Sequence, residues 1–206
     1  MKLKSSTRRK MVVASLLSAV SFVLMLLQFS VPLMPGFIKF DFSELPALIA
    51  AFAYGPLWGA AVCAIKNILH LPFTTTFCVG ELSNFLLGAV FVVTAGYVYR
   101  IKKCKKFAII GALIGAVVMA LVSFPVNYYI TYPTYAHMMP IDLIIDAYRM
   151  AVPKASLNLG DSITKDLVKV LWIFNVPFNF IKGAFNTLIA IFIYKPLSPI
   201  IKGKIK

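Results

Sequence analysis

Charge is the first thing this sequence lacks. Only 14% of its 206 residues are Asp, Glu, Lys or Arg, where soluble domains carry about 25%. Acids are scarcer still, seven against 21 Lys+Arg. The three cysteines, Cys63, Cys78 and Cys104, form no Cys-x-x-Cys pair, and His70 and His137 are the two histidines. Neither a disulfide scaffold nor a metal site is therefore expected. A phosphate loop, a G-x-S-x-G elbow, an H-E-x-x-H helix and a pair of acids inside an apolar run are all missing. These absences exclude ATP hydrolysis by the chain itself and the common hydrolases, so no enzyme is expected. There is also no internal repeat, which removes support for the inverted-repeat plan of many secondary transporters.

What is present is hydrophobicity. Apolar residues make up 60% of the chain and the mean hydropathy is +0.86, the signature of an all-α integral membrane protein. The net charge of +14 would suggest nucleic acid in a soluble domain, but here it reports topology, and no nucleic-acid partner is expected.

Five cations and no acid in the first ten residues run into residues 11–33, which hold no charge. Residues 82–99, 107–130 and 171–194 are three further apolar runs. At ~1.5 Å per residue each can cross a ~30 Å hydrocarbon layer. The stretch 45–71 is interrupted at Tyr54-Gly55-Pro56, so it reads as one kinked helix or two short ones. Charge parity decides between them. Two crossings put residues 1–10, 100–106 and 195–206 on one side, with 14 of the 21 cations and no acid. One crossing would send the 100–106 cluster to the other face and break the positive-inside rule. The expectation is one membrane domain, residues 1–206, with six transmembrane helices at 11–33, 45–54, 57–71, 82–99, 107–130 and 171–194. Both termini are then cytoplasmic. The outer segments are 34–43, 72–81 and the long loop 131–170, whose amphipathic run 141–150 suits either the membrane surface or a cover over the bundle.

In the sixth span Asn175, Asn179, Lys182 and Asn186 are spaced 4, 3 and 4, which places them on one helical stripe. A lysine roughly 16 Å into a span costs about 2.5–3.5 kcal/mol and usually faces a partner or a wet cavity. Asn186 is readily explained as interhelical glue; Lys182 with Asn179 points to a ligand. Other polar residues gather at the outer ends of different spans: Lys66, Asn67 and His70; Glu81 and Asn84; Asn127, Tyr128 and Tyr129. Before the second span, Lys39-Phe40-Asp41-Phe42-Ser43-Glu44 alternates charge with aromatic rings. Ser43 or Asp41 would also serve as a helix cap, with Glu44 favourable at the helix N-terminus. Such a lining is amide-rich, aromatic and nearly neutral, and suits a flat heterocycle with a polyhydroxyl tail better than an ion. In the first span Ala14 with Ser18, and Ser15 with Ala19, form two overlapping small-x-x-x-small pairs that permit close approach of another helix.

The order of these pieces resembles a known family. Lys-Phe-Asp-Phe-Ser-Glu-Leu-Pro (39–46), Ala-Tyr-Gly-Pro-Leu-Trp-Gly (53–59), Ile-Lys-Asn-Ile-Leu-His (65–70), Val-Gly-Glu-Leu-Ser-Asn-Phe (79–85) and Pro-Phe-Asn-Phe-Ile-Lys-Gly (177–183) are similar to the riboflavin-specific S component of energy-coupling factor (ECF) transporters. The resemblance implies a six-helix bacterial plasma-membrane protein with no cofactor, which captures riboflavin from outside as its transported ligand. It also implies a partner: an ECF module of one transmembrane coupling subunit and two ATP-binding cassette ATPases. The family's ligand positions match Phe40, Asp41, Glu81, Asn84, Asn127, Asn179 and Lys182. Its docking face, typically Ala-x-x-x-Ala on the first helix, matches Ala14, Ser15, Ser18 and Ala19, with Ser at one position of each pair. The competing reading is a self-sufficient carrier or facilitator for a vitamin-like heterocycle. That reading lacks the acid deep in a span that such a carrier usually needs.

Overall fold

The computed structural model of the chain describes residues 5–32, 34–137, 140–151 and 163–201. Helices dominate it, as they must where a lipid-embedded backbone has to satisfy its own hydrogen bonds. The first, α1, spans Ser5–Leu26. It begins inside the cationic segment and stops well before residue 33, where the uncharged run had suggested its end. Pro32, Pro35 and Gly36 cannot continue a helix, and the last apolar residues do something else. Phe29–Ser30 (β1) pairs antiparallel with Lys39–Phe40 (β2), Phe29 opposite Phe40.

Helices α2 (Glu44–Tyr54) and α3 (Pro56–His70) follow. They meet at Gly55, whose φ of 113° is in the region glycine tolerates, and Pro56 then opens α3 at its first position. After a short 3₁₀ turn at Leu71–Phe73, α4 runs over Val79–Ile101 and α5 over Lys105–Val126. A π-helical turn, Asn127–Thr131, carries α5 on into α6, Tyr132–Ala136. Next comes α7, Ile141–Ala151. The last helix is built the same way: α8 (Ile163–Val170), a π-helical turn (Leu171–Asn175) and α9 (Val176–Ile201).

The expected outer loop 131–170 is therefore mostly helix where it is described. Its two ends extend the fifth and sixth spans, and α7 lies over the bundle, with Ile144, Ile145 and Tyr148 buried. Among the described residues four helices are long and apolar enough to cross a membrane: Thr7–Leu26, Val79–Ile101, Lys105–Ala136 and Asp166–Ile193. The 11-residue α2 and 15-residue α3 are shorter, roughly 16 and 22 Å at 1.5 Å per residue, than an upright ~30 Å crossing needs.

Close approach of α4, α5 and α9 forms the core. A Cβ on Gly111 would sit 2.7 Å from the Ala95 carbonyl oxygen, one on Gly115 would sit 2.6 Å from that of Phe91, and one on Gly183 would sit 2.6 Å from the Ala116 Cβ. These glycines hold the three helices at backbone distance, the packing mode of lipid-embedded bundles, where apolar burial alone drives little association. Against this unit α2 packs its alanine-rich face, with Ala47, Ala50 and Ala51 essentially inaccessible.

Candidate substrate-binding site

At the end of the bundle away from the Arg100–Lys106 turn, several strong electrostatic contacts close on one another. The Lys182 ammonium, on α9, donates to Asp41 Oδ2 at 3.0 Å and to Glu44 Oε1 at 3.1 Å. The same Glu44 oxygen accepts from Lys66 of α3 at 3.0 Å. Lys66 also donates to the Ser43 hydroxyl, which in turn donates to Asp41 Oδ1. Two cations and two anions thus form a neutral ring joining the loop before α2, α3 and α9. All four are nearly inaccessible, Lys66 at 0% and Asp41 at 1%. Burial alone would raise the Asp41 carboxyl, but Lys182, Lys66 and the Ser43 hydrogen bonds outweigh it and hold Asp41 below the ordinary carboxylate range. Ser43 stands at the N-cap of α2 without a side-chain cap bond, because its hydroxyl is committed to the ring. Asp41 caps only locally, accepting the Ser43 N–H at 2.8 Å.

A second cluster holds Glu81, in the first turn of α4. Its Oε1 lies 2.9 Å from His70 Nδ1, and its Oε2 accepts the Thr74 hydroxyl at 2.8 Å and that of Thr76 at 3.3 Å. A third cluster ties α7 down. Asn175 donates to the Tyr148 hydroxyl at 2.7 Å, Tyr148 and Tyr132 hydroxyls lie 2.5 Å apart, and Asn127 donates to Asn175 Oδ1 at 3.4 Å. Both π-helical turns end or begin at these asparagines, and such turns recur at functional sites.

Between the three clusters is a cavity with about 910 Å³ of empty volume, a figure that includes open solvent. Its wall includes Asp41, Glu81, Asn84, Asn127, Asn179 and Lys182, six of the residues singled out from the sequence. Phe40 is not in the wall. Strand alternation explains this: Lys39 and Asp41 face the cavity, so the side chain between them points the other way. There Phe40 meets Phe178 edge-on at 6.0 Å, and it is Phe178 that lines the cavity. Two buried acceptors in the wall, Asn84 Oδ1 and Glu44 Oε2, have no hydrogen-bond partner among the described residues. Reading the sequence placed Glu44, Lys66 and His70 near this region without bringing them together, and missed Phe178, Tyr132 and Tyr135. Nothing in a linear pattern pairs Lys66 with Glu44, 22 positions apart.

The small residues of α1 separate into two pairs. Ala14 and Ser18 are buried, at 4% and 1% exposure, and the Ser18 hydroxyl donates to the Ala14 carbonyl at 2.8 Å. Their pair is used inside the subunit, which corrects the expectation that both pairs offer a docking face. Ser15 and Ala19 lie on the exposed side.

Residues 9–194 match the family described as "ECF transporter, substrate-specific component". The chain belongs to this family. It is 32% identical over 201 residues to the riboflavin transporter RibU of Staphylococcus aureus strain TCH60, covering 98% of this chain and 96% of that protein. It is 34% identical over 194 residues to the riboflavin transporter FmnP of Bacillus subtilis strain 168, covering 93% of each. A solved S component of a bacterial ECF transporter superposes with a TM-score of 0.70 at 30% identity, over 95% of this chain and 99% of that one. The S component is thus a membrane-embedded substrate-binding subunit, and its relatives are transporters rather than enzymes. Its family does not favour the self-sufficient carrier.

Proposed function

We propose that this S component binds riboflavin from outside the cell in the cavity above the Asp41–Lys182–Glu44–Lys66 ring. It then passes the vitamin inward while docked on an ECF module. That module comprises one transmembrane coupling subunit and two ATP-binding cassette ATPases, and the whole sits in the bacterial plasma membrane. One observation carries the reading. The cavity wall sets Lys39 and Lys182 against Asp41, Glu44 and Glu81, is rich in amides and edged by aromatic rings, yet keeps two buried acceptors without a partner among the described residues. A ligand that fits must bring donors for Asn84 and Glu44, acceptors for Lys182 and the amides, and a flat apolar body for Phe178. Riboflavin has an imide, a tricyclic ring and a ribityl chain of hydroxyls. An inorganic ion has none of these. The relatives named as riboflavin transporters support the same substrate.

The site residues we assign are Asp41, Glu81, Asn84, Asn127, Asn179 and Lys182, with Phe40 acting behind Phe178. Purified protein titrated with riboflavin should quench the flavin's fluorescence to saturation at one ligand per chain, and the loaded protein should be yellow. No saturable quenching would overturn the riboflavin assignment.

The proposed topology has six spans, with α2 and α3 crossing as a short, tightly joined pair and both termini cytoplasmic. It is supported by the cation distribution and by the position of the cavity opposite the Arg100–Lys106 turn. Cys104, partly accessible in that turn, reports on it directly. An impermeant maleimide should label Cys104 only after cells are permeabilised, and labelling of intact cells would reverse the orientation.

A further inference from the structure

We propose that Glu44 reads the ligand directly: its free carboxylate oxygen accepts the imide N–H of the bound ring, beside a ring carbonyl held by Lys182. The inference rests on riboflavin as the ligand. Glu44 is the first residue of α2, 2% exposed, and part of the cavity wall. Its Oε1 already accepts from Lys66 at 3.0 Å and from Lys182 at 3.1 Å. Its Oε2 is buried and has no partner among the described residues.

A buried carboxylate oxygen is costly to leave without a donor, because it has given up water and received nothing in return. Nor can the group rotate to relieve this. Two ammonium groups hold Oε1, so turning Oε2 toward either of them only exposes Oε1 in its place. Glu44 is part of the cavity wall, so a ligand that fills the cavity is placed to supply that donor. Gly88 of α4 lines the same wall, and a Cβ there would lie 3.5 Å from Glu44 Oε1. A larger residue would therefore project into the space beside the carboxylate.

The neighbouring lysine gives the direction of the match. Lys182 spends two of its three N–H bonds on Asp41 and Glu44, which leaves one to offer. Ammonium donor beside carboxylate acceptor is the complement of a carbonyl beside an N–H, which is one side of an imide. Sites built to pair a ligand N–H discriminate strongly against analogues that lack it, since the protein acceptor is then stranded. Asn84 Oδ1, the other unpaired acceptor in the wall, remains for a hydroxyl of the ribityl chain.

The test compares riboflavin with 3-methylriboflavin, in which the imide N–H is replaced by N–CH₃, on the purified full chain and on Glu44→Gln. Wild type should prefer riboflavin by about 10- to 150-fold, the worth of one hydrogen bond to a charged group. In Glu44→Gln the carbonyl can stay on the two lysines, which turns the NH₂ toward the ring and sets donor against donor. That variant should lose riboflavin affinity by a similar factor and discriminate between the two ligands by less than about 3-fold. Its retained binding of 3-methylriboflavin would show that the site is folded. A wild-type preference below about 3-fold, or an undiminished preference in Glu44→Gln, overturns the role of Glu44. Should Glu44→Gln bind neither ligand, the same ratio is read in Glu44→Asp, which keeps the charge and withdraws the oxygen by one methylene. Failure of wild type to bind riboflavin at all would instead sink the ligand assignment.

Discussion

Lys182→Met is expected to weaken riboflavin binding by about 10- to 150-fold, the loss of one charge-assisted hydrogen bond to a ring carbonyl. The structure adds a complication that the sequence did not disclose. Lys182 also neutralises Asp41 and Glu44, so its removal leaves two buried carboxylates with Lys66 as their remaining ammonium in the ring. Breaking a buried pair in this way costs about 3–5 kcal/mol of stability. A loss of binding alone is therefore ambiguous. Lys182→Met combined with Asp41→Asn restores the charge balance, and stability should recover in the double variant. Each protein has to elute as a monodisperse species in detergent with unchanged helix content by circular dichroism. Wild-type affinity in a folded Lys182→Met protein would remove this lysine from the site and weaken the riboflavin assignment with it.

Lys182 was legible because its signal is local. A charge in a long apolar run, flanked at helical spacing by Asn175, Asn179 and Asn186, identifies a stripe without reference to any other element, and all four are buried. Phe40 was legible as a site neighbour but not as a layer behind the wall. The alternation that turns it away depends on the two-residue pairing of β1 with β2, too short to leave a pattern. The end of α1 was misplaced for a related reason: apolarity continues past Leu26, and only the prolines at 32 and 35 argue against continued helix. The start of the last helix held a signal that composition hid. Leu167 and Val170 are buried at helical spacing just ahead of Leu171, but the neighbouring Lys165, Asp166 and Lys169 made this stretch read as loop. Lys66 and Glu44 remained apart because their contact is tertiary. A buried lysine and an acid at a helix N-terminus each have a bland explanation until both meet the same oxygen.

Ser15→Trp and Ala19→Trp are expected to abolish transport while leaving riboflavin binding intact. On α1 the buried residues Ala14, Ser18, Ser21 and Met25 recur every three or four positions and pack inward, the Ser21 hydroxyl bonding the Ser43 carbonyl. The opposite stripe is exposed along its length, with Val12 at 60%, Leu16 at 62%, Val20 at 51% and Val23 at 53%. Aliphatic side chains there need only lipid. Ser15 and Ala19 sit between them, exposed, as a small-x-x-x-small pair, and close helix contact is what such a pair permits. The coupling subunit of the ECF module is the partner that would use it. An indole at either position fills the notch and holds a second helix several ångströms off, so uptake by cells carrying the full module should fall to less than about a tenth of wild type. The riboflavin Kd of the isolated variants should stay within about 3-fold, since the cavity is walled by other residues. The inward pair supplies the contrast. Ala14→Trp and Ser18→Trp force a large ring into the packed interior, where Ala14 belongs to the same cluster as Ala47 and Val62. They should therefore lose stability and binding together. Normal uptake by both Ser15→Trp and Ala19→Trp would show that this stripe faces lipid alone and that the module docks elsewhere.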